Sequence, residues 1–316
     1  MKHTLGIVFP GQGTQYVGMG KELYEKFDVA RNVFSEAGEI LKCDIARLCF
    51  EGPREALDMT ENTQLAVLTV DLAAYKVFEE RIALTPKISA GHSLGEYAAL
   101  AASGAFSFAD AFLIVRSRSC FMQEAVPPGK GAIAALIGIR PDIVEDLCHT
   151  AQLSGETVEP ANYNGPAQIV ISGTSSGVQK IIAEAKKNGA KRAVILPISI
   201  PCHSHMLTEA AARLEKELSS LIIKPCTIPV ISNYNPDMLH SETHTRELLA
   251  RQLNSPVRWQ ETIEVMEKAG ADTIIEIGPG KTLSALIKRI SPNFRTLNIE
   301  DLDSLDKAAV YLHDDA

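Results

Sequence analysis

The chain has 316 residues, a net charge of −8 and a hydrophobic content of 46%, values that exclude extensive disorder. Its length suits one large core with a smaller inserted or appended unit. The acidic balance argues against nucleic-acid and anionic-membrane surfaces, because those partners require clustered Lys and Arg. We therefore expect no nucleic-acid and no membrane partner.

The cysteines and the start of the chain bear on the compartment. The six cysteines include no Cys-x-x-Cys pair, and the first residues lack the charged segment and apolar core of a signal peptide. No run approaches the roughly 18 apolar residues of a membrane helix. The sequence therefore predicts a cytoplasmic protein.

The first part of the chain alternates strand and helix signals. The apolar run Leu5–Phe9 predicts a buried strand, and Pro10-Gly11-Gln12-Gly13 predicts a tight turn after it. Apolar residues at steps of three and four then predict helices over 21–34 and 63–81. Such alternation is typical of a parallel sheet in an α/β fold.

A Gly-x-Ser-x-Gly motif at 91–95 lies between an apolar stretch at 86–90 and a helical Ala- and Leu-rich run at 98–102. Strand, glycine-flanked serine and helix together form the pattern of a nucleophile elbow, which exposes a serine at the start of a helix. By itself the motif arises by chance in about one chain in ten of this length. Its context favours Ser93 as a nucleophile.

The order of predicted strands and helices changes after Pro127-Pro128-Gly129. The order becomes strand, helix, strand, strand, helix, strand, which is the split βαβ pattern of a ferredoxin-like unit. The predicted strands cover 132–139, 157–163, 168–173 and 192–197, and the predicted helices cover 142–151 and 178–188. We expect an inserted subdomain at 129–197, a core formed by 1–128 and 198–316, and an active site between them.

Two glycine-rich turns resemble nucleotide-binding motifs but depart from them. After Gly11-Gln12-Gly13 the third glycine is at 18, which breaks the dinucleotide spacing, and Gly280-Lys281-Thr282 has Ile275 where a phosphate loop needs glycine. The first turn has a better use as an oxyanion hole, in which the backbone amides of Gln12 and Leu94 stabilise a developing negative charge.

A serine nucleophile needs a base within hydrogen-bond reach. His203 is the best candidate, because it follows the apolar run 194–200, predicted as strand, and the break at Pro201. Cys202, His203 and His205 also leave a metal site open as an alternative. His92 is more consistent with a packed neighbour of the nucleophile.

Two arginines, Arg116 and Arg118, lie on a predicted helix after Ala109. The ordinary interpretation is a solvated or salt-bridged arginine. An arginine that faces the serine would instead bind a substrate carboxylate through a bidentate pair.

Taken together, several motifs resemble the malonyl-CoA:acyl carrier protein transacylase family. They are Phe9-Pro10-Gly11-Gln12-Gly13, Gly91-His92-Ser93-Leu94-Gly95-Glu96-Tyr97, Phe121-Met122-Gln123-Glu124-Ala125-Val126-Pro127, Asn162-Tyr163-Asn164, Pro201-Cys202-His203, Arg251-Gln252-Leu253 and Glu276-Ile277-Gly278-Pro279-Gly280. The resemblance covers roughly residues 5 to 290. It implies an α/β-hydrolase-like core with an inserted ferredoxin-like small domain.

The resemblance also implies a role for each matching residue. Ser93 matches the nucleophile, and His203 matches a base oriented by a backbone carbonyl. Arg118 matches the arginine that holds the malonyl carboxylate. The remaining implied positions are the oxyanion amides of Gln12 and Leu94 and the substrate-binding residues Gln252, Met122 and Asn162. Cys202 departs from the Ser or aromatic residue that relatives commonly have at that position, where the side chain touches the acyl pocket.

The implied reaction is ping-pong transfer from malonyl-CoA to the phosphopantetheine thiol of an acyl carrier protein, with no metal or redox cofactor. Carrier proteins are usually acidic, so docking requires a local basic face. Lys288 and Arg289 are the leading candidates. An editing acyl hydrolase and a non-catalytic carrier-binding scaffold remain alternatives. Fatty-acid and polyketide synthesis both stay open as pathways, and a monomer is the default.

Overall fold

The computed structural model describes residues 3–127, 129–198 and 200–314. Position 128, at the predicted subdomain boundary, and the outermost residues of the predicted core lie outside these ranges. The described chain is a mixed α/β structure with one parallel and one antiparallel sheet, each of four strands. The α/β fold class predicted from the sequence is therefore confirmed.

Helices separate most of the strands along the described chain, with five of them between the first and second strands. In the described residues the strands are β1 (Leu5–Phe9), β2 (Ile88–Gly91), β3 (Gly131–Ile137), β4 (Val158–Gly165), β5 (Gln168–Thr174), β6 (Arg192–Ile195), β7 (Thr273–Ile277) and β8 (Arg295–Ile299). The helices are α1 (Lys21–Lys26), α2 (Asp28–Leu41), α3 (Ile45–Glu51), α4 (Arg54–Leu57), α5 (Thr60–Arg81), α6 (Gly95–Ala102), α7 (Phe108–Ala125), α8 (Pro141–Leu153), α9 (Ser175–Lys187), α10 (Thr208–Leu218), α11 (Thr245–Leu253), α12 (Trp259–Lys268), α13 (Thr282–Ile290) and α14 (Leu302–Asp314). None of the helices in the described ranges is both long enough and apolar enough to cross a membrane.

The parallel sheet has the order β2-β1-β7-β8. Strands β1, β2 and β7 are buried along their whole length, as expected when helices cover both faces of a parallel sheet. Since parallel strands end at the same edge, the turns after β1, β2 and β7 lie together. The Gln12 turn, the Ser93 elbow and the 278–280 turn therefore meet at one edge of the sheet, where open α/β sheets bind their ligands.

The antiparallel sheet has the order β4-β5-β3-β6, the strand arrangement of a ferredoxin-like unit. Helices α8 and α9 pack on one face over an apolar cluster that includes Leu136, Val144 and Ile181. Side chains alternate across a strand, so Ile133 and Val170 leave this cluster and join the main core. The second face of the sheet is thereby turned toward the parallel-sheet edge.

Two element predictions differ from the structure by more than a shift of a few residues at one end. The helix predicted over 21–34 is two helices, because Phe27 has extended backbone angles (φ −118°, ψ 128°). The strand predicted over 194–200 ends at Ile195. Pro197 and Pro201 lack the amide that a continuing strand would need.

Candidate active site

A cavity of about 240 Å³ lies between the edge of the parallel sheet and the antiparallel sheet. Both sheets contribute to its wall. Ser93, His203 and Arg118 lie on the parallel-sheet side, and Asn162 and Val170 come from the antiparallel sheet. Polar groups therefore converge in a mostly apolar cleft, the usual form of a small-molecule site.

The elbow at Ser93 is held by close backbone approaches. Ser93 itself adopts the left-handed conformation (φ 53°), which is strained for a residue with a side chain. A Cβ on Gly91 would lie 1.9 Å from the carbonyl of Gly95, and one on Gly95 would lie 2.1 Å from the Phe9 carbonyl oxygen. The two glycines are thus required for contact between the segments, while the serine carries the left-handed turn.

Ser93 and His203 form a hydrogen-bonded dyad. Ser93 Oγ is 2.7 Å from His203 Nε2, and His203 Nδ1 is 2.8 Å from the backbone carbonyl oxygen of Gln252. Because a carbonyl can only accept, Nδ1 carries the proton and Nε2 is free to accept from the serine. A backbone carbonyl therefore orients the imidazole in the geometry that the resemblance implies.

His203 is buried (3% exposed) and also adopts a left-handed backbone, with φ 58°. Burial, followed by the nearby positive charge of Arg118, lowers the pKa of His203 to about 3. The imidazole is consequently neutral at physiological pH, which is the form that a general base needs.

Arg118 is almost fully buried (1% exposed), yet it has only uncharged hydrogen-bond partners in the described residues. It donates to Gln64 Oε1 at 2.6 Å, Ser93 Oγ at 3.1 Å and Gln252 Oε1 at 3.2 Å. Its Nε has no partner in the described chain. A buried cation without a carboxylate is costly, so the site is arranged to receive an anion beside Ser93.

The two predicted oxyanion donors lie near Ser93. Gln12 lines the cavity, and Leu94 precedes the first turn of α6. A Cβ on Gly11 would lie 2.4 Å from the His92 carbonyl oxygen and 3.6 Å from the Leu94 amide nitrogen, so the two turns touch. Within the described ranges, neither amide donates to a protein acceptor.

The other predicted site residues occupy different depths. Met122 and Asn162 line the cavity. Gln252 is fully buried and contacts Arg118 and His203 from behind. Lys288 and Arg289 are exposed on α13, outside the cavity, and Arg289 donates to Gln168 Oε1 of β5 at 3.0 Å.

The neighbouring histidines and cysteine have separate environments. His92 Nε2 is 2.9 Å from Asn164 Oδ1, and its ring packs on Trp259. His205 is on the surface against Glu159. Burial raises the pKa of the Cys202 thiol to about 11. No group of three potential metal ligands occurs among the residues that the structure describes.

Four residues that sequence reasoning did not assign support the site: Gln64, Glu96, Asn233 and His240. Glu96 was within the elbow motif, but its spacing alone gave no role. Gln64 lies on α5, which is buried on nearly all sides, so its burial pattern does not single it out. Asn233 and His240 lie in an irregular segment and reach Glu96 only through tertiary contacts.

The model of the acyl transferase domain family matches residues 7–302. A malonyl CoA-acyl carrier protein transacylase of Bacillus subtilis (strain 168) is 44% identical over 96% of both chains. The protein of that name from Escherichia coli (strain K12) is 41% identical over 90% of this chain and 91% of its own.

Solved structures show the same similarity. The malonyl CoA-acyl carrier protein transacylase of Coxiella burnetii superposes with a TM-score of 0.96 at 39% identity, over 99% of this chain and 98% of that one. A malonyl-transacylase solved in complex with a type II PKS acyl-carrier protein gives a TM-score of 0.95 at 37% identity, over 97% and 99%.

Proposed function

This chain belongs to the acyl transferase domain family, and we propose that it transfers a malonyl group from malonyl-CoA to the phosphopantetheine thiol of an acyl carrier protein. The observation that carries the proposal is Arg118, a buried guanidinium with uncharged partners, 3.1 Å from the nucleophilic oxygen. A carboxylate bound there lies beside Ser93, as the free end of a malonyl thioester requires. The names of the relatives agree with this assignment.

In the first half-reaction, Ser93 Oγ attacks the thioester carbonyl and its proton passes to His203 Nε2 over 2.7 Å. The amides of Gln12 and Leu94 donate to the oxyanion of the tetrahedral intermediate, and each such donor contributes about 3 kcal/mol. The C–S bond then breaks, and the departing CoA thiolate takes the proton from His203.

In the second half-reaction the phosphopantetheine thiol of the carrier protein gives its proton to His203 and attacks the malonyl ester. The C–O bond to Ser93 breaks, and the serine oxygen recovers a proton from the imidazolium. No further group is consumed in either half. The carrier is that of fatty-acid or polyketide synthesis, and a panel of both kinds separates the two pathways.

Through Arg118, the basicity of His203 depends on which acyl group is bound. Its charge lowers the pKa of His203, and a bound malonyl carboxylate offsets that charge. The imidazole therefore becomes a stronger base when the correct acyl group is present. An acetyl group, which lacks the carboxylate, gives neither the ion pair nor this increase in basicity.

We also propose a domain organisation, a docking surface for the carrier, a compartment and an oligomeric state for this chain. Residues 129–197 form an inserted subdomain whose Asn162 lines the substrate cavity, and the core comprises 1–128 and 198–316. Met122 and Gln252 complete the acyl pocket. Lys288 and Arg289 receive the acidic carrier. The protein is cytoplasmic and monomeric, and the free thiols of its six cysteines suit a reducing compartment.

Intact-mass analysis after brief incubation with malonyl-CoA tests the function, with acetyl-CoA as the matched substrate. We expect a malonyl adduct on the wild type, none on Ser93→Ala, and transfer of the adduct when carrier protein is added. Loss of the adduct to water at the same rate with and without carrier would favour an acyl hydrolase. No adduct at all would favour a carrier-binding scaffold.

A further inference from the structure

A buried pair of side chains, Glu96 and His240, lies behind the nucleophile. Both side chains are 0% exposed, and Glu96 Oε1 is 2.5 Å from His240 Nε2. Glu96 is in the first turn of α6, three residues after Ser93. Neither residue lines the substrate cavity, so neither can touch the substrate directly.

The second oxygen of Glu96 accepts two further hydrogen bonds. Glu96 Oε2 is 3.1 Å from the Asn233 backbone nitrogen and 2.9 Å from Gln252 Nε2. One carboxylate thereby fixes two residues that lie 137 and 156 positions away from it in the sequence. Buried networks in which every member is satisfied are the ones that enforce a unique geometry.

Asn233 and Gln252 are the residues that hold the reacting groups. Asn233 Oδ1 accepts from the Ser93 amide at 2.7 Å, and its Nδ2 donates to the Gly91 carbonyl at 2.7 Å. Gln252 uses its other side-chain hydrogen on the Ser93 carbonyl at 2.7 Å. Its Oε1 accepts from Arg118, and its backbone carbonyl accepts from His203.

The protons of the pair can be counted from its hydrogen bonds. The Thr245 hydroxyl donates to the Ser241 carbonyl at 2.7 Å, so its oxygen is left to accept from His240 Nδ1 at 3.2 Å. One more proton is then shared between His240 Nε2 and Glu96 Oε1. The pair has no net charge wherever that proton lies.

We propose that Glu96 is the positioning residue of the active site, and that it acts through Gln252 and Asn233 on His203, Arg118 and Ser93. His240 in turn fixes the orientation of the Glu96 carboxylate. The role depends on the reach and hydrogen-bond pattern of the side chain rather than on its charge. This inference rests on the proposed malonyl transfer and adds a residue to its machinery.

The distinguishing variants are Glu96→Gln and Glu96→Asp. A glutamine keeps the reach: its oxygen accepts from Asn233 and Gln252, while its amide donates to a neutral His240. An aspartate keeps the carboxyl group but is shorter by one methylene and cannot span the three partners. A displacement of about 1 Å at such a site lowers the rate about 100-fold.

We expect the single-turnover rate of Ser93 malonylation to fall about 100-fold in Glu96→Asp and to stay within about threefold of wild type in Glu96→Gln. The loss should appear in kcat more than in KM. Equal loss in both variants, or an aspartate variant as active as wild type, would overturn the inference. The proposed function fails separately, if the wild type itself forms no malonyl adduct.

Two further variants keep the test decisive if Glu96→Asp is poorly folded. Thr245→Val removes the acceptor of His240 Nδ1 and should lower the malonylation rate about 3- to 10-fold, and an unchanged rate would count against the network. Ile181→Ala truncates the apolar cluster under the antiparallel sheet. It should lower the unfolding temperature with no change in malonylation rate. If the malonylation rate of Ile181→Ala fell in proportion to its loss of stability, lost stability alone would explain the effect of Glu96→Asp.

Discussion

The two sheets differ in what their interiors contain. Around the parallel sheet the buried groups include Arg118, His203 and the Glu96–His240 pair. Between the antiparallel sheet and its two helices the cluster is apolar, with Leu136, Val144 and Ile181 among its members. Buried charges require exact partners, whereas an apolar cluster tolerates volume-conserving change. The parallel side therefore suits chemistry, and the antiparallel side suits a wall that shapes the cavity.

The largest effect expected on the parallel side comes from His203→Ala. Without the imidazole, Ser93 has no acceptor for its proton, and kcat for malonyl transfer should fall about 10⁴-fold. A stopped assay of malonyl-carrier formation measures it. A loss of less than about tenfold would mean that another group serves as base.

Arg118→Ala should change the acyl preference next. The proposed charged pair with the malonyl carboxylate is worth about 1.5 to 3 kcal/mol, so the preference for malonyl-CoA over acetyl-CoA in kcat/KM should fall about 10- to 150-fold. Competition between the two thioesters, read by mass of the Ser93 adduct, gives the ratio. An unaltered preference would show that Arg118 does not bind the malonyl carboxylate.

The helix α13 connects the two sheets, because Arg289 on its surface contacts Gln168 of the antiparallel sheet. Reversing Lys288 and Arg289 to Glu should raise KM for the carrier about tenfold by repelling an acidic partner. Malonyl loading from malonyl-CoA should be unaffected, since both residues lie outside the cavity. Raised salt should increase the wild-type KM for the carrier toward that of the variant. An unchanged KM for the carrier in the variant would show that the carrier does not dock on this face.

On the wall, Asn162→Ala should have a smaller effect. Asn162 is 6% exposed and lines the cavity from β4, and one neutral hydrogen bond to substrate is worth about 0.5 to 1.5 kcal/mol. We expect KM for malonyl-CoA to rise about 2- to 10-fold with kcat nearly unchanged. A loss mainly in kcat would mean that Asn162 takes part in the reaction, which would contradict the assignment of the chemistry to the parallel-sheet side alone.

The smallest expected effect is a displaced pH profile. The proposed base His203 acts in its neutral form, and burial, followed by the charge of Arg118, lowers its pKa. Arg118→Ala should raise that pKa, so the decline of kcat/KM in acid should begin at a higher pH than in the wild type. Acetyl-CoA, which has no carboxylate, is the substrate for both proteins in this measurement. Coincident profiles would show that Arg118 does not act on the base.

Much of the site could be predicted because its motifs are local. The sequence around Ser93 shows strand, glycine-flanked serine and helix within fifteen residues, and the turn at Gln12 follows an apolar run. The split βαβ order likewise follows from short-range periodicity. The resemblance then supplied the roles of His203 and Arg118, which spacing alone left open. The break at Phe27 was missed because the helical periodicity of the sequence continues through it, and the early end of β6 was missed because the apolar run was weighed above Pro197 and Pro201, which lack the amide that a strand needs.

By itself, the sequence determined the α/β class, the elbow and the residue types available for acyl transfer, because each depends on neighbours within a few positions. Only the tertiary structure placed Gln252 behind both His203 and Arg118, and Glu96 behind Gln252. These partners are 49 to 156 residues apart, and their contacts depend on how the parallel strands are ordered. The satisfaction of a buried polar group is a property of the assembled core, and no local pattern encodes it.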